Sequence, residues 1–284
     1  MVEIAVRPRG PYSLALSARL AGDATRRVRE GLVTARCGGG EARAFQSQDG
    51  TVTIRSESAT AAEKLRWMLA LDDDHSEFLL RFAGDPLVGR ATKHLRGFRP
   101  VRTATVAQAL LRAVCGQLID SKTARSLERS VIRALQGRAV AATGLSEPPT
   151  TSTLAAAAPF ELRRLGLHER RGAAVVRLCR SLELERLHEL PTDAVVRRLE
   201  RERGLGPWSA GVVCLEGLGR YEHGLVGDLG LVKLVRRLSG RRTVETWETA
   251  ELLEPYGEWA GLASVYLLAG FGRGLIPLPA ARAA

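Results

Sequence analysis

The sequence predicts a mainly α-helical protein in which a small N-terminal α+β domain with an antiparallel sheet precedes a helical domain. Short alternating segments separated by turns occupy residues 1–60, a pattern typical of half-buried strands. Helical spacing of apolar residues dominates after residue 105. A chain of 284 residues is also long enough for two domains. We therefore predict an α+β domain over residues 1–100 and a helical domain over residues 101–284.

The predicted strands of the first domain are residues 13–20, 31–37, 43–48 and 51–55. Asp49-Gly50 between the last two is a strong hairpin signal, so we expect an antiparallel sheet. A helix over residues 61–71 follows, with Leu65 and Met68 among its candidate packing residues.

An acidic run, Asp72-Asp73-Asp74, stands beside His75 at the end of this helix. Such a cluster could bind a metal ion. Acidic residues also stabilise the N-terminus of a following helix, and Phe78 and Phe82 supply that helix with an inward face. We favour the helix start and predict no metal site.

The stretch from residue 199 to residue 238 carries the candidate chemistry. Gly204-Leu205-Gly206 lies between two predicted helices, and Pro207 occupies the favoured first helical position. A glycine turn allows close backbone approach, and its exposed N–H groups suit a phosphate. Further along, Gly227-Asp228-Leu229-Gly230 places one carboxylate at the start of another helix. Either motif alone fits an ordinary helix cap, but the pair indicates chemistry on nucleic acid.

The paired motifs resemble the helix-hairpin-helix base-excision DNA glycosylases, and most closely bacterial 3-methyladenine DNA glycosylase II. Residues 204–210 match the family's hairpin, which we place near 199–215, and residues 226–231 match its catalytic segment. Gly116-Gln117-Leu118, at the end of a predicted helix, matches the segment beside the damaged base. The resemblance implies that the fold is an α+β domain followed by a helical glycosylase domain.

The resemblance also implies individual roles. Asp228 would be catalytic; Trp208, Gln117 and Tyr266 would line the substrate pocket; Leu118 would be the wedge that replaces the flipped base; and Gly204, Leu205, Gly206 and Ser209 would bind DNA. An ordinary core position remains the alternative for Leu118 and for Tyr266.

The implied activity is hydrolysis of the N-glycosidic bond of alkylated purines of the 3-methyladenine type, after base flipping in double-stranded DNA. Bifunctional relatives carry a Schiff-base lysine where this chain has Trp208, so we expect a monofunctional enzyme, because imine formation needs an amine. Val212 and Leu268 replace aromatic residues of the alkylation glycosylases, and Ala260 replaces an arginine. These departures keep open a deaminated or oxidised base as substrate, and a non-catalytic DNA-binding protein is the third alternative.

The formal net charge of +11 favours a polyanionic partner such as DNA. Nearly all of the basic residues are arginines, and a GC-rich genome would produce the same bias without selection for DNA binding. Four scattered cysteines lack the spacing of a metal or iron–sulfur site, so we expect no cofactor. The N-terminus lacks a signal peptide and no apolar run reaches membrane-spanning length. We therefore expect a cytoplasmic, nucleoid-associated monomer that binds no membrane.

Overall fold

The computed structural model describes residues 1–136 and 143–279. Its N-terminal part is an antiparallel sheet of five strands in the order β1-β5-β4-β3-β2. The strands are β1 Val2–Val6, β2 Arg26–Arg29, β3 Leu32–Cys37, β4 Gly40–Gln46 and β5 Val52–Ser56. The predicted segments 31–37, 43–48 and 51–55 are confirmed within a few residues, and the hairpin turn at Gly50 has a φ of 89°. The edge strands β1 and β2 were not among the predictions.

The prediction of a strand over residues 13–20 is wrong, because residues Leu14–Ala18 form helix α1. The Ser13 hydroxyl accepts a hydrogen bond from Leu16 N and caps this helix. Leu14, Ser17 and Ala18 are its buried residues, and that spacing belongs to one helical face. The apparent alternation over five residues could not distinguish the two periods.

The remaining helices follow in chain order. They are α2 Ala59–Met68, α3 Ser76–Arg81, α4 Gly89–His94, α5 Val106–Gly116, α6 Ser121–Gln136, α7 Thr151–Ala156, α8 Pro159–Arg164, α9 Glu169–Ser181, α10 Thr192–Glu200, α11 Pro207–Val212, α12 Leu229–Ser239, α13 Glu248–Leu253 and α14 Ala260–Phe271. A π-helical turn, Val213–Gly217, extends α11. Leu184–Glu189 and Glu254–Trp259 are 3-10 helices.

Three hydrophobic clusters form the core. One lies between the sheet and α2, the second surrounds α5 and α9, and the third surrounds α12 and α14. Phe78 of α3 and Ala91 of α4 belong to the third cluster. The domain boundary at residue 100 therefore stays a prediction, while the packing joins α3 and α4 to the C-terminal helices.

Arg112 of α5 joins the two halves through three carboxylates. Its guanidinium lies 2.6 Å from Asp23 Oδ2, 3.0 Å from Glu128 Oε1 and 2.5 Å from Glu216 Oε2. Asp23 precedes β2, whereas Glu128 is on α6 and Glu216 is in the π-helical turn. Breaking a buried ion pair leaves an uncompensated charge, so this network fixes the orientation of α5. The C-terminus of α5 is the segment that reaches the candidate site.

All four cysteines are buried thiols without disulfides. Burial raises the pKa of the Cys214 thiol to about 12. Across residues 1–136 and 143–279, every helix is too short or too polar to span a bilayer.

Candidate active site

The predicted hairpin is present between α10 and α11. Gly204 adopts a φ of 100°, the left-handed region that favours glycine. Gly206 has an extended backbone, and a Cβ added to it would meet no heavy atom within 4 Å. No side chain caps the N-terminus of α11, where Pro207 takes the first position. The turn therefore presents glycine backbone to open space.

Two predicted DNA-binding side chains of this hairpin are turned inward. Leu205 is buried in the core cluster around α5, and Ser209 is also buried. Any contact that these two residues make with DNA would therefore use the backbone. The Ser209 hydroxyl instead accepts a hydrogen bond from Gln117 Nε2 at 3.0 Å.

Asp228 is held in place by three neutral donors. Its Oδ1 accepts hydrogen bonds from Gly230 N at 2.7 Å and Leu231 N at 3.3 Å. Its Oδ2 accepts one from Trp208 Nε1 at 3.0 Å. Oδ1 therefore caps the N-terminus of α12, as the helix-cap interpretation requires. The second oxygen faces the hairpin, which a simple cap does not require.

The charge of Asp228 is not neutralised by a partner. Within the described parts of the chain no Lys, Arg or His forms an ion pair with it; its hydrogen-bond donors are two backbone amides and one indole. The site therefore combines a fixed carboxylate with an uncompensated negative charge.

The loop that carries Asp228 is supported from α13 and α14. Thr249 Oγ1 accepts a hydrogen bond from Gly227 N at 2.7 Å and donates one to Thr246 O at 2.6 Å. Gly227 has a φ of 86°, and Gly230 packs directly against Leu268. Sequence reasoning did not find Thr249, because a threonine in a first helical turn carries no distinguishing signal.

The Gln117 side chain is bonded to the hairpin, and its role in the substrate pocket stays a prediction. Its Nε2 donates to Gly204 O at 2.8 Å as well as to Ser209 Oγ, so its amide lies against the hairpin. The preceding Gly116 lies against Trp208, whose Cη2 would be 2.7 Å from an added Cβ. The structure thus brings Gln117, Ser209, Trp208 and Asp228 together.

Leu118 and Tyr266 have opposite environments. Leu118 is 79% exposed and has a φ of 59°, which is rare for a residue other than glycine. An exposed side chain excludes the core alternative for Leu118. Tyr266 is fully buried, contacts the rings of Phe78 and Phe98, and donates its hydroxyl hydrogen to Phe98 O at 2.9 Å. The pocket assignment of Tyr266 is therefore wrong, because α14 is apolar on nearly every side and carries this ring into the core.

A basic groove, which sequence reasoning missed, lies beside the hairpin. It has a volume of about 990 Å³ and runs between α9 and Gly204. Its arginines are Arg163, Arg170, Arg171, Arg177 and Arg203. Arg163 and Arg177 form ion pairs with Glu169 and Glu202. The sequence shows these arginines in separate segments, and only the fold brings them to one groove.

The acidic run at residues 72–74 has structural partners. Asp73 Oδ2 lies 2.5 Å from Arg102 Nη2 and accepts a hydrogen bond from Tyr221 Oη. Burial alone would raise the pKa of Asp73, but the His75 ring and the charge of Arg102 outweigh it and lower the pKa to about 2. Among the described residues, no group of three or more His, Cys, Asp or Glu could hold a metal ion.

No protein-family model matches the sequence. A DNA-3-methyladenine glycosylase of Bacillus subtilis is 25% identical over 207 residues, which cover 69% of this chain and 67% of that protein. The fold is similar to the 3-methyladenine DNA glycosylase of Archaeoglobus fulgidus, with a TM-score of 0.81, 20% identity and coverage of 96% and 98% of the two chains. It is also similar to an 8-oxoguanine glycosylase/lyase of Clostridium acetobutylicum, with a TM-score of 0.77, 17% identity and coverage of 94% and 95%. In its paired motifs, in this relative and in its fold, the chain is thus similar to the helix-hairpin-helix DNA glycosylases.

Proposed function

We propose that the protein is a monofunctional DNA glycosylase that hydrolyses the N-glycosidic bond of alkylated purines of the 3-methyladenine type. The observation that carries the proposal is the Asp228 carboxylate, held by neutral donors beside the hairpin and left without a cationic partner in the described structure. The names of the Bacillus and Archaeoglobus relatives support the 3-methyladenine type.

The proposed reaction begins with base flipping, because the glycosidic bond of a stacked base is out of reach. As the bond breaks, its electron pair passes to the base and positive charge develops on the sugar. Asp228 stabilises that charge electrostatically. A water oxygen then bonds to C1′ and releases one of its protons to the solvent. A base that is already cationic leaves as a neutral molecule, so the site needs no separate general acid.

DNA would bind along the hairpin and the basic groove. Arg170 and Arg203 line the groove beside Gly204, and arginine forks suit phosphate oxygens. Such contacts hold a duplex without reading its sequence. The exposed Leu118 would fill the gap left by the flipped base. The proposed substrate is therefore a damaged base within double-stranded DNA.

The proposal of a monofunctional enzyme rests on Trp208. Its indole nitrogen donates a hydrogen bond to Asp228, and the lone pair of that nitrogen is delocalised into the aromatic ring and does not attack a sugar carbon. Lys233 lies on α12, beyond Asp228 in the chain. Water therefore remains the nucleophile, and the DNA strand stays intact after base release.

An oxidised or deaminated base is the second candidate substrate. Val212 is buried and Leu268 packs on Gly230, so two positions that are aromatic in the alkylation glycosylases hold aliphatic side chains. A less aromatic pocket binds a cationic base less strongly. The similarity to an 8-oxoguanine glycosylase/lyase fold is compatible with this alternative.

The test is mass spectrometry of the bases released from duplex DNA treated with a methylating agent, beside DNA carrying 8-oxoguanine or uracil. We expect 3-methyladenine or 7-methylguanine, and no covalent adduct with methylated DNA in the presence of borohydride. Release of only an oxidised or deaminated base would overturn the alkylation proposal. A trapped adduct would overturn the monofunctional mechanism, and duplex binding without base release would indicate a binding protein.

A further inference from the structure

We propose that Gln117 is a positioning residue that links the Leu118 wedge to the DNA-binding hairpin, so that phosphate binding and wedge insertion occur together. The inference rests on the proposed function. It replaces the expectation that Gln117 contacts the damaged base.

The side-chain amide of Gln117 is committed to the hairpin. Its nitrogen has two hydrogens, and the structure gives each an acceptor, Gly204 O at 2.8 Å and Ser209 Oγ at 3.0 Å. The orientation of the amide follows from chemistry, because a backbone carbonyl can only accept a hydrogen bond. Gln117 therefore spans the turn of the hairpin and the first turn of α11.

The main chain of Gln117 is fixed as well. Arg171 of α9 donates a hydrogen bond to Gln117 O at 2.8 Å. On the far side of the wedge, Asp120 accepts hydrogen bonds from Lys122 N and Thr123 N and starts α6. Leu118 therefore sits in a short loop that is held at both ends.

The backbone of Leu118 shows why such support is needed. A positive φ costs free energy for leucine and persists only when its surroundings impose it. The contacts of Gln117 and Asp120 impose it here, and they direct an apolar side chain into solvent instead of into the core. Loss of the Gln117 contacts would let the loop relax and move the wedge.

Gly116 connects this loop to the catalytic carboxylate. It packs on Trp208, the residue that donates to Asp228. Of three consecutive residues, Gly116 contacts Trp208, Gln117 contacts the hairpin, and Leu118 would enter the proposed gap in the DNA. A shift of Leu118 relative to the hairpin would misplace the wedge while leaving the phosphate-binding turn intact.

The test compares excision of one lesion in two contexts, paired in a normal duplex and opposite an abasic site. An unpaired lesion needs little help to leave the stack. We expect Gln117→Met, which keeps length but removes the donors, to slow excision of the paired lesion roughly tenfold, the scale of lost neutral hydrogen bonds. Excision of the unpaired lesion and affinity for undamaged duplex should change little.

Two further variants make the result specific. Leu118→Ala should lower the ratio of the excision rate for the paired lesion to that for the unpaired lesion. The double variant Gln117→Met/Leu118→Ala should lower this ratio no further, because both changes remove the same function of the wedge. Gln136→Met removes a comparable bond, from Gln136 Nε2 to Glu147 O at 3.2 Å on α6, and should leave the ratio unchanged.

Equal loss on both lesions would overturn the inference, because it indicates that Gln117 contacts the base itself. Strictly multiplicative effects of Gln117→Met and Leu118→Ala would also overturn it. Failure of the wild-type protein to excise either lesion would instead contradict the proposed function.

Discussion

Asp73 and Asp228 are both loop aspartates beside the start of a helix, yet their surroundings differ. Asp73 faces the guanidinium of Arg102 and the hydroxyl of Tyr221. Asp228 accepts hydrogen bonds only from neutral groups, two backbone amides and the indole of Trp208. The first carboxylate is paired by charge, whereas the second is merely oriented.

This difference distinguishes a structural acid, Asp73, from the proposed catalytic acid, Asp228. The charge of a carboxylate beside arginine is already neutralised by the ion pair, so the carboxylate stabilises a second cation only weakly. A carboxylate held by neutral dipoles keeps its charge for a cation that forms during the reaction. Position in the sequence does not show this distinction, because acids and helix starts surround both residues.

The largest expected effect comes from Asp228→Asn. It removes the charge and should lower single-turnover excision of 7-methylguanine by roughly two to three orders of magnitude, as loss of a key electrostatic stabiliser does. Binding to lesion DNA should persist, since the hairpin and the wedge are unchanged.

A thermal melt accompanies this measurement. The amide of asparagine cannot accept from all three donors, so unfolding should become easier by about 1 kcal/mol, one hydrogen bond's worth. A well-folded Asp228→Asn protein with near wild-type excision would show that the carboxylate is only a helix cap.

Asp73→Asn should show the opposite pattern. It leaves Arg102 buried beside a neutral amide, so the free energy of unfolding should fall by about 3 kcal/mol, typical of a broken buried ion pair. Excision per folded molecule should stay the same. Urea unfolding checks the free energy of unfolding, and excision rates normalised to the concentration of active sites check the activity per folded molecule.

The pH dependence sharpens the result for Asp73. Its pKa in the folded protein, about 2, lies below the usual 3.8. The ionised form therefore stabilises the folded state above about pH 4, near the reference value for an unfolded chain, and this contribution is lost as the pH falls toward 2. The stability difference between wild type and Asp73→Asn should narrow over that interval. A difference that is constant down to pH 2 would contradict the ion-pair assignment.

The smallest effect is expected for Trp208→Phe, which keeps an aromatic ring but removes the donor to Asp228. Excision should slow roughly tenfold at unchanged DNA affinity, since one hydrogen bond that orients the carboxylate is lost. In the Asp228→Asn background the same change should have no further effect, which a merely structural role would not produce. Trp259→Phe is the matched control, because Trp259 Nε1 has no hydrogen-bond partner in the described structure.

Sequence patterns predicted the fold class, most of the sheet and the two site motifs because each depends on local chemistry. Asp49-Gly50 permits a hairpin, and glycines beside Asp228 permit a tight loop before a helix. The resemblance assigned Trp208 and Asp228 to one site. In the fold, Trp208 Nε1 lies 3.0 Å from Asp228 Oδ2.

What the sequence missed depends on contacts between distant segments. Gln117 meets a carbonyl 87 residues away, so no local pattern could show that its amide was occupied. Tyr266 looked like a pocket aromatic until its helix proved to be buried on nearly every side. The short helix α1 failed for another reason, since five residues are too few to distinguish one periodicity from another.

Contacts within the chain itself hold Leu118 in its exposed conformation, and for the proposed wedge this has a kinetic consequence. The entropy of ordering the loop is lost when the chain folds, so encounter with DNA need not include it. A protein that scans long stretches of undamaged duplex would thus encounter every base pair with Leu118 already in its exposed conformation. The opening of the base pair, rather than a rearrangement of the protein, would then limit the search, and weakly stacked lesions would be sampled first.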